Sequence, residues 1–211
     1  MRWATEVVSG SASSFHAREL PVDAVPTLWW FEIDRPALVL GSTQDESMVN
    51  RRACDRAGVE VVRRHSGGGA VLLIPGEIDW FDLIIPEGDS LWERDVSRAA
   101  WWVGEVVVEA LGTDGLAVHR GPLISNEWSS LACFAGWGPG EVTVGHRKVL
   151  GLSQRRTRNL IRYQCATYRV WRPERLLELL APDHPPADAL VDCVAPVVLD
   201  RADLERSLAR R

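Results

Sequence analysis

Two segments of the chain hold residue types that could do chemistry together. The first is Arg63-Arg64-His65-Ser66-Gly67-Gly68-Gly69-Ala70-Val71, at the end of a β-rich run. Three successive glycines let the backbone take positive φ and approach a ligand with no Cβ in the way. Their N–H groups can line an anion cradle, with Arg64 beside them offering a two-pronged hold on phosphate or carboxylate. The second is Gly145-His146-Arg147-Lys148-Val149-Leu150-Gly151-Leu152-Ser153-Gln154-Arg155-Arg156. Lys148 opens an apolar strand there, and a lysine fixed in a partly buried strand can face negative charge developing on a carbonyl or phosphate oxygen. Taken singly, the glycines also read as a plain turn and the lysine as a hairpin surface residue. The triplet matches neither the dinucleotide-binding G-x-G-x-x-G nor the P-loop pattern.

Alternating strands and helices must position these segments. Thr27 to Ile33, Ala37 to Leu40, Val59 to Arg64, Ala70 to Ile74 and Ile78 to Ile85 read as strands, with a helix from Met48 to Ala57 stopped by Gly58. A long helix is expected from Leu91 to Leu111, opened by a Ser90/Glu93 capping box and striped by Val96, Ala99, Ala100, Val103, Val107 and Leu111. Glu141 to Val144, Lys148 to Ser153 and Leu160 to Val170 read as further strands. Short helices follow at Pro173 to Leu180, Ala187 to Cys193 and Arg201 to Arg211, the first two joined across the Pro-rich stretch from Ala181 to Ala187. No repeat or low-complexity linker divides residues 1–211, so one domain is expected.

Composition narrows the function classes. At 211 residues, 46% hydrophobic and 25% charged, the chain has an ordinary globular balance. A net charge of −5 argues against a general nucleic-acid binder, which usually carries a basic footprint. Cys54, Cys133, Cys165 and Cys193 are widely spaced, which fits reduced thiols rather than a disulfide frame, and neither they nor the five His form a metal-ligand pattern. No protein-held metal is expected. The first residues lack a signal-peptide layout and no apolar run reaches spanning length, so the expectation is a cytoplasmic protein without membrane contact. The ten Trp read mainly as core packing, with some left to line an apolar ligand pocket.

In this order, R-R-x-S-G-G-G-A-V and G-x-R-K-x-x-G-x-[SA]-Q-x-R closely resemble the lipoate–protein ligase family, over roughly Leu28 to Val170. Cys133-Phe134 upstream of the lysine strand and the L-G-x-x-Q segment from Leu40 to Gln44 add to the resemblance. It implies an α+β fold, a mostly antiparallel mixed sheet flanked by helices, related to class II aminoacyl-tRNA synthetase and biotin/lipoate ligase cores. It also implies an enzyme that attaches lipoate or octanoate to a protein lysine through an acyl-adenylate, using ATP with Mg²⁺. Arg64, Ser66, Gly67, Gly68, Gly69, Ala70, Gly151 and Ser153 would hold the adenylate, and Lys148 would contact its carbonyl and phosphate. The residues after Val170 are too few to supply the C-terminal accessory domain of full-length ligases.

The chain departs from the family pattern near the nucleotide. Leu72-Leu73-Ile74 stand where an aromatic, His and Asp are usual, Gly76-Glu77-Ile78 where Gly-Asn-Thr is usual, and Gln164-Cys165-Ala166 around the usual His-Gly. The chain also resembles cysteine-type octanoyltransferases, in which Cys133 would carry the acyl group as a thioester without ATP, its thiolate favoured by Lys148. Cys165 is a second, weaker nucleophile candidate. A non-catalytic module binding an acyl or adenylate ligand is a third reading, and a biotin ligase is disfavoured by the Ser-Gly-Gly-Gly loop. The partners implied are a lipoyl-type acceptor domain or an acyl carrier protein. Such acceptors tend to be acidic, so Arg155, Arg156 and Arg158, on a hairpin tip around Thr157, are expected to form the docking patch.

Overall fold

The computed structural model describes residues 3–21, 25–182 and 184–211. Its main sheet has seven strands in the order β1-β2-β6-β10-β9-β8-β7. These are β1 (Ala4–Gly10), β2 (Thr27–Ile33), β6 (Ile78–Pro86), β7 (Leu116–Val118), β8 (Val142–Val144), β9 (Arg147–Arg156) and β10 (Leu160–Tyr168). Only β1 and β2 run parallel; every other pair is antiparallel. A second sheet, β4-β3-β5, joins β3 (Ala37–Leu40) in parallel to β4 (Glu60–Arg63) and antiparallel to β5 (Val71–Leu73). The α+β, mostly antiparallel architecture expected from the resemblance is the one observed.

Both faces of the main sheet are covered, which explains why its central strands β2, β6 and β10 are buried along nearly their whole length rather than on alternate residues. Along β2, Leu28 and Trp30 face one core while Trp29, Phe31 and Ile33 face another. On the first side lie α3 (Trp101–Leu111) and α6 (Arg201–Leu208), contributing Val103, Val106, Val107, Leu204 and Leu208. On the second side, Phe15 of α1 (Ala12–Ala17) and Val39, Val62 and Leu73 of the small sheet close the core. The outer face of the small sheet packs against α2 (Arg51–Ala57), α4 (Pro173–Leu177) and α5 (Asp188–Val191). Most of the tryptophans pack in these cores, as Trp29, Trp30 and Trp80 do. Among the described residues, no helix is long and apolar enough to cross a membrane.

The expected helix from Leu91 to Leu111 is half right. Its second half is α3, but residues 91–100 form turns, and the N-cap of α3 is Ala100 with no side-chain cap. Asp89 Oδ1 accepts from Leu91 N, and Asp95 Oδ1 accepts from the N–H groups of Ser97 and Arg98. Such local aspartate turns compete with a helix for the same backbone donors. The carbonyls of Glu93 and Val96 are meanwhile taken by Arg156 and Gln154 of β9. The C-terminal helices are shorter than expected, and β1, α1 and β7 carry no expectation from sequence. Met1, Arg2, the stretch 22–24 and Asp183 of the Pro-rich stretch lie outside the described residues.

Candidate active site

The two motifs meet between the sheets, together with the segment around Cys133. Strand β4 ends at Arg63, with Arg64 next, and both guanidinium groups are spent on the chain itself, mostly on backbone carbonyls. Arg63 donates to the carbonyls of Gly41, Ser42 and Gln44. Arg64 donates to Ser66 Oγ and to the carbonyls of Gly67 and Gly69 at 2.7 and 2.8 Å. Arg64 therefore shapes the glycine loop from behind, and no open fork is left for a phosphate. Because a trans peptide places N–H opposite C=O, the Gly68 N–H turns away from Arg64. No described residue accepts from the N–H groups of Gly67, Gly68 or Gly69.

Gly68 has φ +91°, where a side chain is strained, and a Cβ there would stand 3.7 Å from Cys133 Sγ. At Gly69 a Cβ would lie 2.6 Å from the backbone of Ala132, so close approach of the two chains requires a glycine. That approach is held by Ala70 N donating to Leu131 O and Cys133 N donating to Ala70 O. Gln44 of the L-G-x-x-Q segment adds a third tie: its amide donates to the carbonyls of Ser130 and Leu131. Ser66, Gly69 and Ala70 thus support the loop, while Gly67 faces open space and Gly68 faces Cys133.

Lys148 is buried, its ammonium 2.8 Å from Glu141 Oε2 and donating to the Cys133 carbonyl at 2.9 Å. Glu141 is equally buried and also accepts from the N–H groups of Gly138 and Leu152. Sequence reading missed Glu141, because one acid before a hairpin carries no recognisable spacing. Lys148's backbone is pinned by the chain after α5, through Lys148 N to Cys193 O and Ala195 N to Lys148 O. The cation expected to activate the Cys133 thiol is thus paired with a carboxylate and bonded to the cysteine's carbonyl.

A β-bulge decides which way Lys148 points. Thr143 pairs with Lys148 but Val142 pairs with Leu150, so Val149 is the extra residue. Val149 and Leu150 consequently both enter the helix-side core. Lys148, Gly151 and Ser153 then share the opposite face, which a strict alternation of two would forbid for Lys148 and Gly151. The Phe134 ring fills the space a Gly151 side chain would need, 2.8 Å from the ideal Cβ, and the Lys148 ammonium lies 5.2 Å from that ring's centre.

Two cavities open here. One, of about 110 Å³, is mostly apolar, lined by Val39, Val71, Leu73, Trp80, Phe134 and Ala166 among others, with Gly151 and Ser153 on its β9 wall. A single water needs ~10–15 Å³, so the cavity has room for a slender chain of several atoms. The other is a polar groove of about 820 Å³, lined by Gln44, Asp45, Gly68, Asn126, Ser129 and Lys148 among others. Gly67, Cys133 and Leu152 line both. Cys133 is half-buried, at the start of a single 3₁₀ turn. Cys165 lines the apolar cavity too, but it is buried in the core, away from the groove, and burial pushes its thiol well above the usual range.

His16 of α1 lines the apolar cavity, 4.9 Å from the Trp80 ring. Burial, then the positive charges of Arg162 and Arg64, hold its pKa down to about 3. Unfolded, the ring titrates near ~6.5. Its contribution to stability is therefore complete above pH ~6.5 and is lost as the pH falls from there towards 3. Between pH 6.5 and 5 the loss is about 2 kcal/mol. Urea unfolding of wild type and His16→Gln at pH 7 and pH 5 reads it: the wild type is expected to lose about that much more than the variant. Equal losses would show that His16 protonates freely in the folded state. Asp82, whose carboxyl is raised to about 6 by burial beside Arg162, shifts both proteins alike in the opposite direction.

The expected arginine patch is only partly present. Arg155 and Arg158 are exposed around the β9–β10 turn, as expected. Arg156 is not free: it donates to Glu93 O and lies over the Trp92 ring. Alternating side-chain direction along β9 is the reason.

Residues 14–185 match the family model of the lipoyl protein ligase A/B catalytic domain. The chain is 30% identical to octanoyltransferase LipM of Clostridioides difficile (strain 630) over 135 residues, 62% of this chain and 49% of that one. It thus spans about half the length of this curated relative. In fold it is similar to a bi-partite lipoate protein ligase of Thermoplasma acidophilum, described with its E2 lipoyl domain, at TM-score 0.70 and 17% identity over 100% of this chain and 82% of that one. A lipoate-protein ligase A bound with ATP gives 0.69 at 17% identity, covering 100% and 83%. With its glycine loop, buried lysine and Cys133 gathered between the sheets, and with a family match over most of its length, this chain belongs to the lipoyl protein ligase A/B catalytic-domain family.

Proposed function

We propose that the chain transfers a medium-chain acyl group, octanoyl or lipoyl, onto a protein lysine, with Cys133 as the acyl carrier. The observation that carries this reading is that Cys133 is the one nucleophilic side chain lining both the apolar cavity and the polar groove. The acyl chain occupies the cavity and its carbonyl carbon lies at the thiol. The Cys133 thiolate attacks the donor thioester, and the carrier protein leaves as a thiol after taking up a proton. A lysine amine of the acceptor enters by the groove and attacks the Cys133 thioester. The amide forms, the carbon–sulfur bond breaks and the thiol is restored. Gly68 N–H, free of any partner among the described residues, and Lys148 supply positive charge for the oxyanion formed in both steps.

The adenylating route first expected from the sequence keeps one supporting observation: the groove is large enough for a nucleotide. Its charge fits less well. Lys148 is already paired with Glu141, Asp45 caps a 3₁₀ turn through Ser47 N, and Glu141 is fully engaged. Among the described residues the groove lining thus offers no unpaired cation for a triphosphate.

Intact-mass spectrometry after incubation with octanoyl-carrier protein, or with octanoate, ATP and Mg²⁺, separates the routes. The expected result is an octanoyl adduct from the carrier alone, absent in Cys133→Ala. Octanoyl-adenylate with no protein adduct would overturn the thioester reading in favour of the ligase, and binding without either product would mark a binder.

The acceptor is a lipoyl-type domain on this reading. Arg155→Glu/Arg158→Glu is expected to lower transfer to it several-fold and to flatten the salt dependence, with thioester formation near normal. Equal falls in both steps, or in neither, would remove the patch as the docking site.

A further inference from the structure

We propose that the apolar cavity is built for an acyl chain carrying a neutral hydrogen-bonding substituent, a hydroxyl or oxo group, near its far end. The inference rests on the acyl-transfer reading and deepens it. Strand register orders the cavity wall. Ala166 pairs with Gly151, and Gln164 pairs with Ser153, all four on the face turned to the small sheet. The Gly151 row touches Phe134, the residue after Cys133, so it marks the reacting end. The Gln164 row lies two residues further, ~7 Å along the strand, roughly the span of five or six carbon–carbon bonds of ~1.5 Å in an extended chain. One row beyond, the buried Arg162–Asp82 pair and the Phe15 carbonyl that Arg162 binds close the face.

The far end is therefore polar. His16 Nδ1 stands 3.5 Å from Gln164 Nε2, and Ser153 is directly across the strands from Gln164. Among the described residues no hydrogen bond is made by His16 Nε2, Gln164 Oε1 or Ser153 Oγ, although all three residues line the cavity. A plain alkyl end would exclude water from these atoms and return nothing, the costly half of the hydrogen-bond balance. A hydroxyl both donates to Gln164 Oε1 and accepts from His16 or Ser153. His16 is neutral at physiological pH, held so by burial and by the charges of Arg162 and Arg64, so the three side chains at this end are an uncharged set of donors and acceptors matched to a neutral group.

Binding of octanoate and of its derivatives hydroxylated at each of the last three carbons, measured by calorimetry on the intact protein, tests this without any turnover. At least one hydroxyl derivative is expected to bind about tenfold or more tightly than octanoate. In Gln164→Leu and in His16→Phe the ratio should fall towards one. Wild-type preference for octanoate over every derivative overturns the proposal, as does a hydroxyl preference that survives both substitutions. The same acids as carrier thioesters test the underlying reaction separately. Hydroxyl-selective binding with no thioester formed would keep the cavity assignment and sink the transfer reading. Octanoyl transfer with plain-chain preference would do the reverse.

Discussion

Lys148→Ala is expected to abolish acyl transfer and, at the same time, to destabilise the fold by about 3–5 kcal/mol. From sequence alone the lysine reads as a charge that could be removed at no cost to folding. The structure says otherwise, because the ammonium and the Glu141 carboxylate are both buried and 2.8 Å apart. Removing one partner leaves the other charge buried and unpaired. Lost activity in the single variant is therefore ambiguous between chemistry and unfolding. Lys148→Met with Glu141→Gln resolves it, since no charge is left unpaired and a glutamine oxygen can still accept from Leu152 N. Urea midpoints should return most of the way to wild type while transfer stays absent. Near-normal transfer by the double variant would make the pair purely structural.

Gly69→Ala is expected to reduce transfer by about 100-fold or more, because misplacing a reacting group by ~1 Å can cost that much. The added Cβ would meet backbone atoms, Ala132 N and C at 2.6 Å and Cys133 N at 2.7 Å. Backbone cannot rotate aside as a side chain can, so the glycine loop and the Cys133 segment must part, and the two hydrogen bonds of Ala70 stretch. Gly68→Val acts differently. Its Cβ meets only Arg64 Nη2 and Cys133 Sγ, at 3.1 and 3.7 Å, so strain at φ +91° and blocked ligand approach dominate. Its acyl affinity should fall far more than its stability. The check is parallel measurement of thioester formation, octanoate affinity and melting temperature in the two variants. Wild-type thioester formation by Gly69→Ala would show that the close approach does not hold Cys133 in place.

Local chemistry was enough to read most of the sheet. The β-rich runs at Thr27–Ile33 and Ala37–Leu40 fall where expected, as does the stop at Gly58, which takes the left-handed conformation a helix end favours. Strand β1 escaped because its side chains are mostly exposed and β1 sits at a sheet edge, where burial imposes little pattern. Residues 91–100 escaped because a helical stripe says nothing about aspartates and distant side chains competing for the same backbone groups.

The sequence by itself determined the family, the glycine loop, Lys148 and Cys133, because each is a residue type whose chemistry is visible without coordinates. The tertiary structure alone decided what surrounds them. Arg64 looks like an anion clamp in one dimension, and only the folded loop shows its donors consumed by the Gly67 and Gly69 carbonyls. Glu141 has no sequence signal, yet its carboxylate is the ion-pair partner of Lys148. The bulge at Val149 rotates Lys148 onto the face of Gly151 and Ser153, a reversal that alternation along the strand would deny. His16 and Gln164 are 148 positions apart and meet only when α1 lies across β10. Such features depend on which backbone groups are already satisfied and which strands are in register, and those are properties of the packed chain rather than of any local run of residues.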